Sequence, residues 1–205
     1  MKKRSKSNSK KRTKKYGNRS KKLSRSYAQY RRYKQKFLAE SLPPELNVAV
    51  ESLDVFWSPN GGCRDILITS LLKAKAHIRI QAYNFTDPLI TSVLGSLANT
   101  VTIEVILDGY SLSQEQASKL SRMGVKVYVD TQHSSAHNKV CLIDNSVVLT
   151  GSYNLTKSAE CRNAENLLVI RSTQLTEAYL RNWEHHKDHS KVYYDKQRDS
   201  GKVDS

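Results

Sequence analysis

Residues 135–154 run Ser135-Ala136-His137-Asn138-Lys139-Val140-Cys141-Leu142-Ile143-Asp144-Asn145-Ser146-Val147-Val148-Leu149-Thr150-Gly151-Ser152-Tyr153-Asn154. Two apolar, β-branched runs, Lys139–Ile143 and Val147–Thr150, flank Asp144-Asn145-Ser146, a turn composition, so a β-hairpin is predicted here. Side chains two apart on a strand leave one face, which groups His137 with Lys139 and Ser152 with Asn154. Pairing across the turn gathers all four at one end of the hairpin. A phosphate needs that equipment: a cation, neutral donors for its oxygens, and a group that can attack phosphorus or deliver a proton. Gly151 permits a tight turn, and a short helix beginning near Leu155 is expected to aim backbone N–H groups at the same oxygens.

Outward from the hairpin, strand and helix patterns alternate. Upstream, Val48–Trp57 reads as a strand ended by Ser58-Pro59-Asn60-Gly61-Gly62, and Cys63–Ala76 has Ile66, Leu67, Leu71 and Leu72 at helical spacing. His77–Tyr83 alternates like a half-buried strand, and Asp87 is placed to cap a helix over Pro88–Leu97. Val101–Leu107 and Val125–Val129 read as strands around a helix over Ser113–Arg122 that Gly124 closes. Downstream, Leu167–Arg171 reads as a strand, and Thr173 starts a helix carrying Leu175, Tyr179, Leu180 and Trp183. The fold class expected is α/β, a mixed β-sheet flanked by helices whose last strands are partly antiparallel. No internal repeat is visible.

The 205 residues hold 34 Lys+Arg against 19 Asp+Glu, a formal charge of +15. Residues 1–40 hold 17 of the cations and one acid, Glu40, hence +16; the remaining 165 hold 17 cations and 18 acids, hence −1. The chain is thus divided into a basic arm, residues 1–42, a domain over residues 46–192, and a polar C-terminal tail over residues 193–205, with Pro43-Pro44 as the boundary. The arm lacks apolar residues to offset its ordering entropy and is expected to be disordered. Within it, residues 27–38 place Tyr27, Tyr30 and Phe37 at helical steps among Arg31, Arg32 and Lys34, a helix that either docks on the body or stacks bases. Lys10, Lys11, Arg12, Lys14 and Lys15, with Arg31, Arg32 and Lys34, are the candidate nucleic-acid contacts, with affinity falling steeply as salt rises. The same Lys10–Lys15 run also reads as a nuclear address in a eukaryotic host. No apolar run is long enough to span a membrane, no apolar core follows Lys2-Lys3-Arg4 as in a signal peptide, and Cys63, Cys141 and Cys161 are an odd number without CxxC spacing. No integral membrane contact, no disulfide framework and a cytoplasmic setting are expected.

The pattern HxK, four residues, Asp, six residues, GSxN, carried by His137, Lys139, Asp144, Gly151, Ser152 and Asn154, resembles the signature of the phospholipase D superfamily. Phe56-Trp57-Ser58-Pro59, Ala82-Tyr83-Asn84-Phe85-Thr86, Leu107-Asp108 and Ala164-Glu165-Asn166 extend the resemblance to its small Nuc-type bacterial endonucleases, over about residues 50–190. The resemblance implies a phospholipase D-like fold and a metal-independent phosphodiesterase in which His137 forms a phosphohistidine that water hydrolyses. It implies that Lys139 and Asn154, with Ser152 beside them, hold phosphate oxygens, and that Glu165 hydrogen-bonds the histidine. For Asp144 a turn or ion-pair role stands beside a catalytic one. The second histidine of the family's chemistry has no second motif here, because His185-His186-Lys187-Asp188-His189 contains an HxK with no GSxN after it. Small single-motif members dimerise with the active site at the two-fold axis, so a homodimer is implied.

His77 and His133 read as ordinary surface or satisfied groups, and Tyr110 as a loop residue that packs. His185 and His189, at i and i+4, have ligand spacing, but with no Glu or Cys partner in view the cluster reads as a solvated helix end, and no metal or cofactor is assigned. Three functions follow: an endonuclease on nucleic acid, DNA ahead of RNA; a phospholipid (cardiolipin-type) phosphodiesterase; or a catalytically inert nucleic-acid-binding protein.

Overall fold

The computed structural model describes residues 48–111 and 114–195, together with Ala28. The basic arm, its helix over residues 27–38 and the candidate contacts from Lys10 to Lys34 lie outside the described residues. Within the body, strands β1 (Ser52–Ser58), β2 (His77–Ala82), β3 (Thr102–Asp108), β4 (Lys126–Asp130), β5 (Lys139–Ile143), β6 (Val147–Gly151), β7 (Glu165–Arg171) and β8 (Lys191–Val192) form one sheet in the order β1-β7-β6-β5-β2-β3-β4-β8. Only β2/β3 and β3/β4 pair in parallel, joined by helical crossovers, and the remaining neighbours are antiparallel. The mixed sheet flanked by helices is the fold class read from the sequence.

Alternation along the strands sorts side chains into two cores. Ile78, Ile80, Val105, Leu107, Cys141, Leu149 and Val169 face helices α1 (Cys63–Leu71), α2 (Pro88–Leu97) and α3 (Gln114–Arg122), which contribute Leu67, Leu71, Ile90, Leu94 and Leu120. Ile106, Val140, Leu142, Val148 and Ile170 face the other way, onto Trp183, Leu175 and Tyr179 of the long helix α5 (Thr173–His189). Trp183 is sealed by its indole N–H, which donates to the Ile80 carbonyl at 3.1 Å. Such apolar burial stabilises by about 25 cal/mol per Å².

The local signals set the helix starts. Asp87 accepts the N–H groups of Leu89 (2.9 Å) and Ile90 (3.3 Å) ahead of Pro88, and Ser172 accepts the Leu175 N–H (3.2 Å) at the head of α5. Gly124, at φ 91°, ends the turn after α3. Differences from the sequence reading lie where partners are distant. The first helix stops at Leu71, and β1 begins at Ser52. A short helix α4 (Lys157–Cys161) follows Thr156, whose hydroxyl accepts the Ala159 N–H. Residues counted with the C-terminal tail are bound to the body: the Tyr193 N–H donates to the Val127 carbonyl at 2.8 Å, and the buried Asp195 carboxylate accepts from Ser118 Oγ and Arg122 Nε. The three cysteines are free.

Candidate active site

One edge of the sheet collects the ends of β1, β2 and β6 and the starts of β5 and β7, because Ala82 pairs with Lys139, Val140 with Thr150, Gly151 with Leu167, and Ser58 with Glu165. The C-terminal ends of the parallel strands β2 and β3 open on the same edge, where α/β proteins place ligands. His137 reaches it on a loop whose neighbours are tied down. The Ala136 N–H donates to Asp108 Oδ2 at 2.7 Å, and Asn138 Nδ2 donates to Oε1 of the buried Gln81 at 3.2 Å. The exposed imidazole lies against Tyr83, ring centroids 4.4 Å apart. Lys139 Nζ donates to the His137 carbonyl at 2.6 Å, lies 3.0 Å from His137 Nδ1 and sits 5.0 Å from the centre of the Tyr83 ring.

The Gly151–Asn154 segment is held from both sides. A Cβ at Gly151 would fall 2.3 Å from the Asn166 carbonyl oxygen, so only glycine lets β6 run this close to β7. Ser152 Oγ accepts the Asn166 N–H at 3.1 Å, while the N–H groups of Ser152 and Tyr153 donate to the Asn166 carbonyl. Buried Tyr153 donates its hydroxyl to Glu160 at 2.9 Å, and the Leu155 carbonyl accepts from Thr86 and Asp87. Asn154 is different: its Oδ1 is buried with no hydrogen-bond partner. Burial lowers the Lys139 ammonium from its usual range, with the Glu165 charge opposing. A cavity of about 20 Å³ behind Lys139, among Ile80, Ala82, Cys141, Tyr153 and Leu155, has room for one water.

Asp144 takes the structural role that the sequence left beside the catalytic one, and Glu165 and the N–H groups near Leu155 have partners within the fold. Asp144 stands at the opposite end of β5, at φ 51°, and its carboxylate accepts the N–H groups of Lys75, Ala76 (2.8 Å) and His77 (3.1 Å); it fastens the α1–β2 loop to the hairpin turn. Burial raises its carboxyl, and those three N–H groups and the charge of His77 outweigh burial and hold it below the usual range. Glu165 accepts from Asn163 Nδ2 at 2.9 Å and makes no hydrogen bond to His137; it acts on the site through its charge beside Lys139. The N–H groups near Leu155 are spent inside the fold, Leu155 on the Asn84 carbonyl and Thr156 on the Asn154 carbonyl. The positioning roles of Asp108 and Gln81 escaped the sequence reading. For Asp108, its place at a strand's C-terminal end was the available signal.

A mixed α/β sheet thus presents His137 and Lys139 together at its open edge. Residues 67–187 match the family described as cardiolipin synthase, PLD-like domain. The chain is 36% identical over 154 residues to a phospholipase D of Rickettsia typhi, covering 74% of each chain. It is 31% identical over 121 residues to the mitochondrial cardiolipin hydrolase of Xenopus laevis, spanning 58% of each. Its fold matches that of Nuc, a phospholipase D family member from Salmonella typhimurium, with a TM-score of 0.67 and 31% identity over 70% of this chain and 99% of that one. The chain belongs to the phospholipase D-like family, whose members are phosphodiesterases.

Proposed function

We propose that the protein hydrolyses nucleic-acid phosphodiesters, DNA ahead of RNA, through a phosphohistidine on His137 with no metal at the phosphate. The observation that carries the chemistry is the exposed His137 imidazole with Lys139 Nζ 3.0 Å away at the open sheet edge. Bound phosphate draws the ammonium from the imidazole onto its non-bridging oxygens, and the Asn154 side-chain N–H groups, as donors, complete the cradle. A nitrogen of His137 attacks phosphorus, the P–O bond to the leaving group breaks, and that oxygen takes a proton from a second imidazole. Water then attacks phosphorus, giving its proton to that imidazole as the P–N bond breaks.

The second imidazole is the partner's His137 in a homodimer, since one chain carries a single HxK–GSxN set. The edge strand supports such a contact. Leu53, Val55 and Trp57 of β1 share one face along β7 and are 51%, 41% and 61% exposed, with Trp57 opposite Asn166 next to the Glu165 end. Nucleic acid is favoured as substrate by the +16 on residues 1–40, which concentrates polyanions around a body of charge −1. The names of the relatives favour a second reading, hydrolysis of a cardiolipin-type phospholipid.

The test is to incubate wild type and His137→Ala with plasmid, single-stranded DNA, RNA and cardiolipin vesicles. Subunit mass and acid-labile phosphate on histidine are measured alongside. Cleavage of nucleic acid by a dimeric wild type, with phosphate trapped on His137 and no cleavage by His137→Ala, is expected. Cleavage surviving in His137→Ala overturns the phosphohistidine, and hydrolysis of cardiolipin alone transfers the chemistry to lipid.

A further inference from the structure

Away from the phosphate edge, four side chains from three separate segments meet around one oxygen. Asp130 closes β4 and is fully buried. Its Oδ1 accepts the N–H groups of Gln132 (3.0 Å) and His133 (3.2 Å), which fixes the carboxylate plane. Its Oδ2 faces three imidazoles: His133 Nδ1 at 2.9 Å from the β4–β5 loop, and His189 Nε2 at 3.3 Å and His186 Nδ1 at 3.5 Å from the last turn of α5. The three rings stand at nearly equal separations, with centroids 5.1, 5.1 and 5.2 Å apart. All four candidate donor atoms lie within 4.8 Å of one another.

We propose that Asp130, His133, His186 and His189 form a divalent transition-metal site, for zinc first, that clamps the end of α5 and the loop leading to His137 onto β4. Zinc takes imidazole nitrogen and carboxylate oxygen at about 2.0–2.2 Å in a tetrahedron, whose edges are then about 3.4 Å. The separations of 2.9, 3.3 and 3.5 Å from Asp130 Oδ2 already have that size. Hydrogen bonding alone accounts poorly for the cluster. One carboxylate oxygen cannot satisfy three ring nitrogens, and His186 Nδ1 is left buried without a hydrogen bond. Nor can three charged imidazoles share so small a space.

The donor set also defines the kind of site. Nitrogen and oxygen donors suit zinc better than the hard cations, and four protein ligands leave no open position for a reacting water, so the metal is structural. Its effect on the enzyme is positional. Residues 131–136 run from the site to the Asp108 anchor immediately before His137. His185, exposed and 5.5 Å from the His189 ring, stands outside the set and serves as a control.

The experiment strips the full-length chain of metal with EDTA, removes the chelator, and titrates Zn²⁺ and Co²⁺. It reads metal bound per chain, the thermal midpoint, and the visible absorption of tetrahedral Co²⁺. Expected are about one Zn²⁺ per chain, a rise in Tm of roughly 5–10 °C under excess metal, and a tetrahedral Co²⁺ spectrum. His133→Ala and His189→Ala are expected to bind at least tenfold more weakly, as ligand loss does at such sites, and His185→Ala to bind like wild type. Wild type that takes up no Zn²⁺ and shows no Zn²⁺-dependent rise in Tm overturns the proposal, as does wild-type affinity in both His133→Ala and His189→Ala. Should those variants fail to fold, the wild-type titration decides alone. None of these readouts involves phosphodiester cleavage, so the site stands or falls separately from the proposed function.

Discussion

At the sheet edge the His137 imidazole is exposed against Tyr83, with Lys139 Nζ 3.0 Å from its Nδ1. Seven residues earlier in the chain, Asp130 is fully buried, both its oxygens are engaged, and three imidazoles converge on one of them. The two regions share one loop yet answer different demands. A group that must meet a substrate keeps polar capacity in reserve, whereas a group that holds the frame spends it within the fold. The backbone around His137 is nonetheless rigid, because Asp108 holds Ala136 and Gln81 holds Asn138. Reserve in the side chains and rigidity in their support are what preorganise a site.

The contrast breaks most readily at His137. His137→Ala is expected to lower kcat by about 10³-fold or more, while thermal unfolding moves by no more than about 0.5 kcal/mol, since the ring is exposed. Unfolding of the variant at much lower temperature would show the ring to be structural. Lys139→Met is the next largest effect, a loss of about 10²–10³-fold in kcat/KM. Because burial holds the Lys139 pKa below its unfolded value, its charge opposes folding at neutral pH, and Lys139→Met is expected to unfold at the same or a higher temperature. A marked fall in Tm would refute that sign.

Asp144 tests the structural side. Asp144→Ala is expected to cost about 1.5–3 kcal/mol, since three backbone N–H groups lose a charged acceptor, with kcat intact. The folded pKa lies below the unfolded 3.8, so the stabilisation is present above pH 4 and disappears as pH falls through the folded value. The gap between the pair should narrow as the pH falls, and a gap that does not narrow would assign the loss to the left-handed backbone at residue 144 and to packing. Removing residues 1–40 sharpens the division between arm and body and is the smallest effect on chemistry: nucleic-acid affinity at low salt falls by about tenfold to hundredfold and its salt dependence flattens, with kcat unchanged. Loss of turnover at saturating substrate would make the arm part of the catalytic unit.

Much of the frame was legible because its signals are local. The helix over Pro88–Leu97, with its Asp87 cap, and the strand over Lys139–Ile143 lie where period and capping put them. The two-residue steps His137-x-Lys139 and Ser152-x-Asn154 likewise described the motif's ends, and pairing of Val140 with Thr150 brings those ends to one edge. The seating of β1 against β7, the short β8 and the binding of Asp195 to Arg122 were hidden, since each joins segments far apart in sequence. Glu165 shows a different limit at the site: its hydrogen-bond partner, Asn163, is only two residues away, and the local pattern did not say which group its carboxylate would meet.

What the residues determine by themselves is the alternation of strand and helix, the charge division at residue 40, and the HxK–GSxN motif by which the chain resembles the phospholipase D superfamily. Period, caps and composition act over a few residues and need no partner. Tertiary structure alone decided that His133, dismissed as a lone histidine, and His186 and His189, placed on a solvated helix end, stand around Asp130. It also decided that Asp144 holds a loop at the far end of β5. The physical reason is the same in both cases. A side chain's local pattern says which face it leaves from, and only the packed sheet and helices say what it meets there.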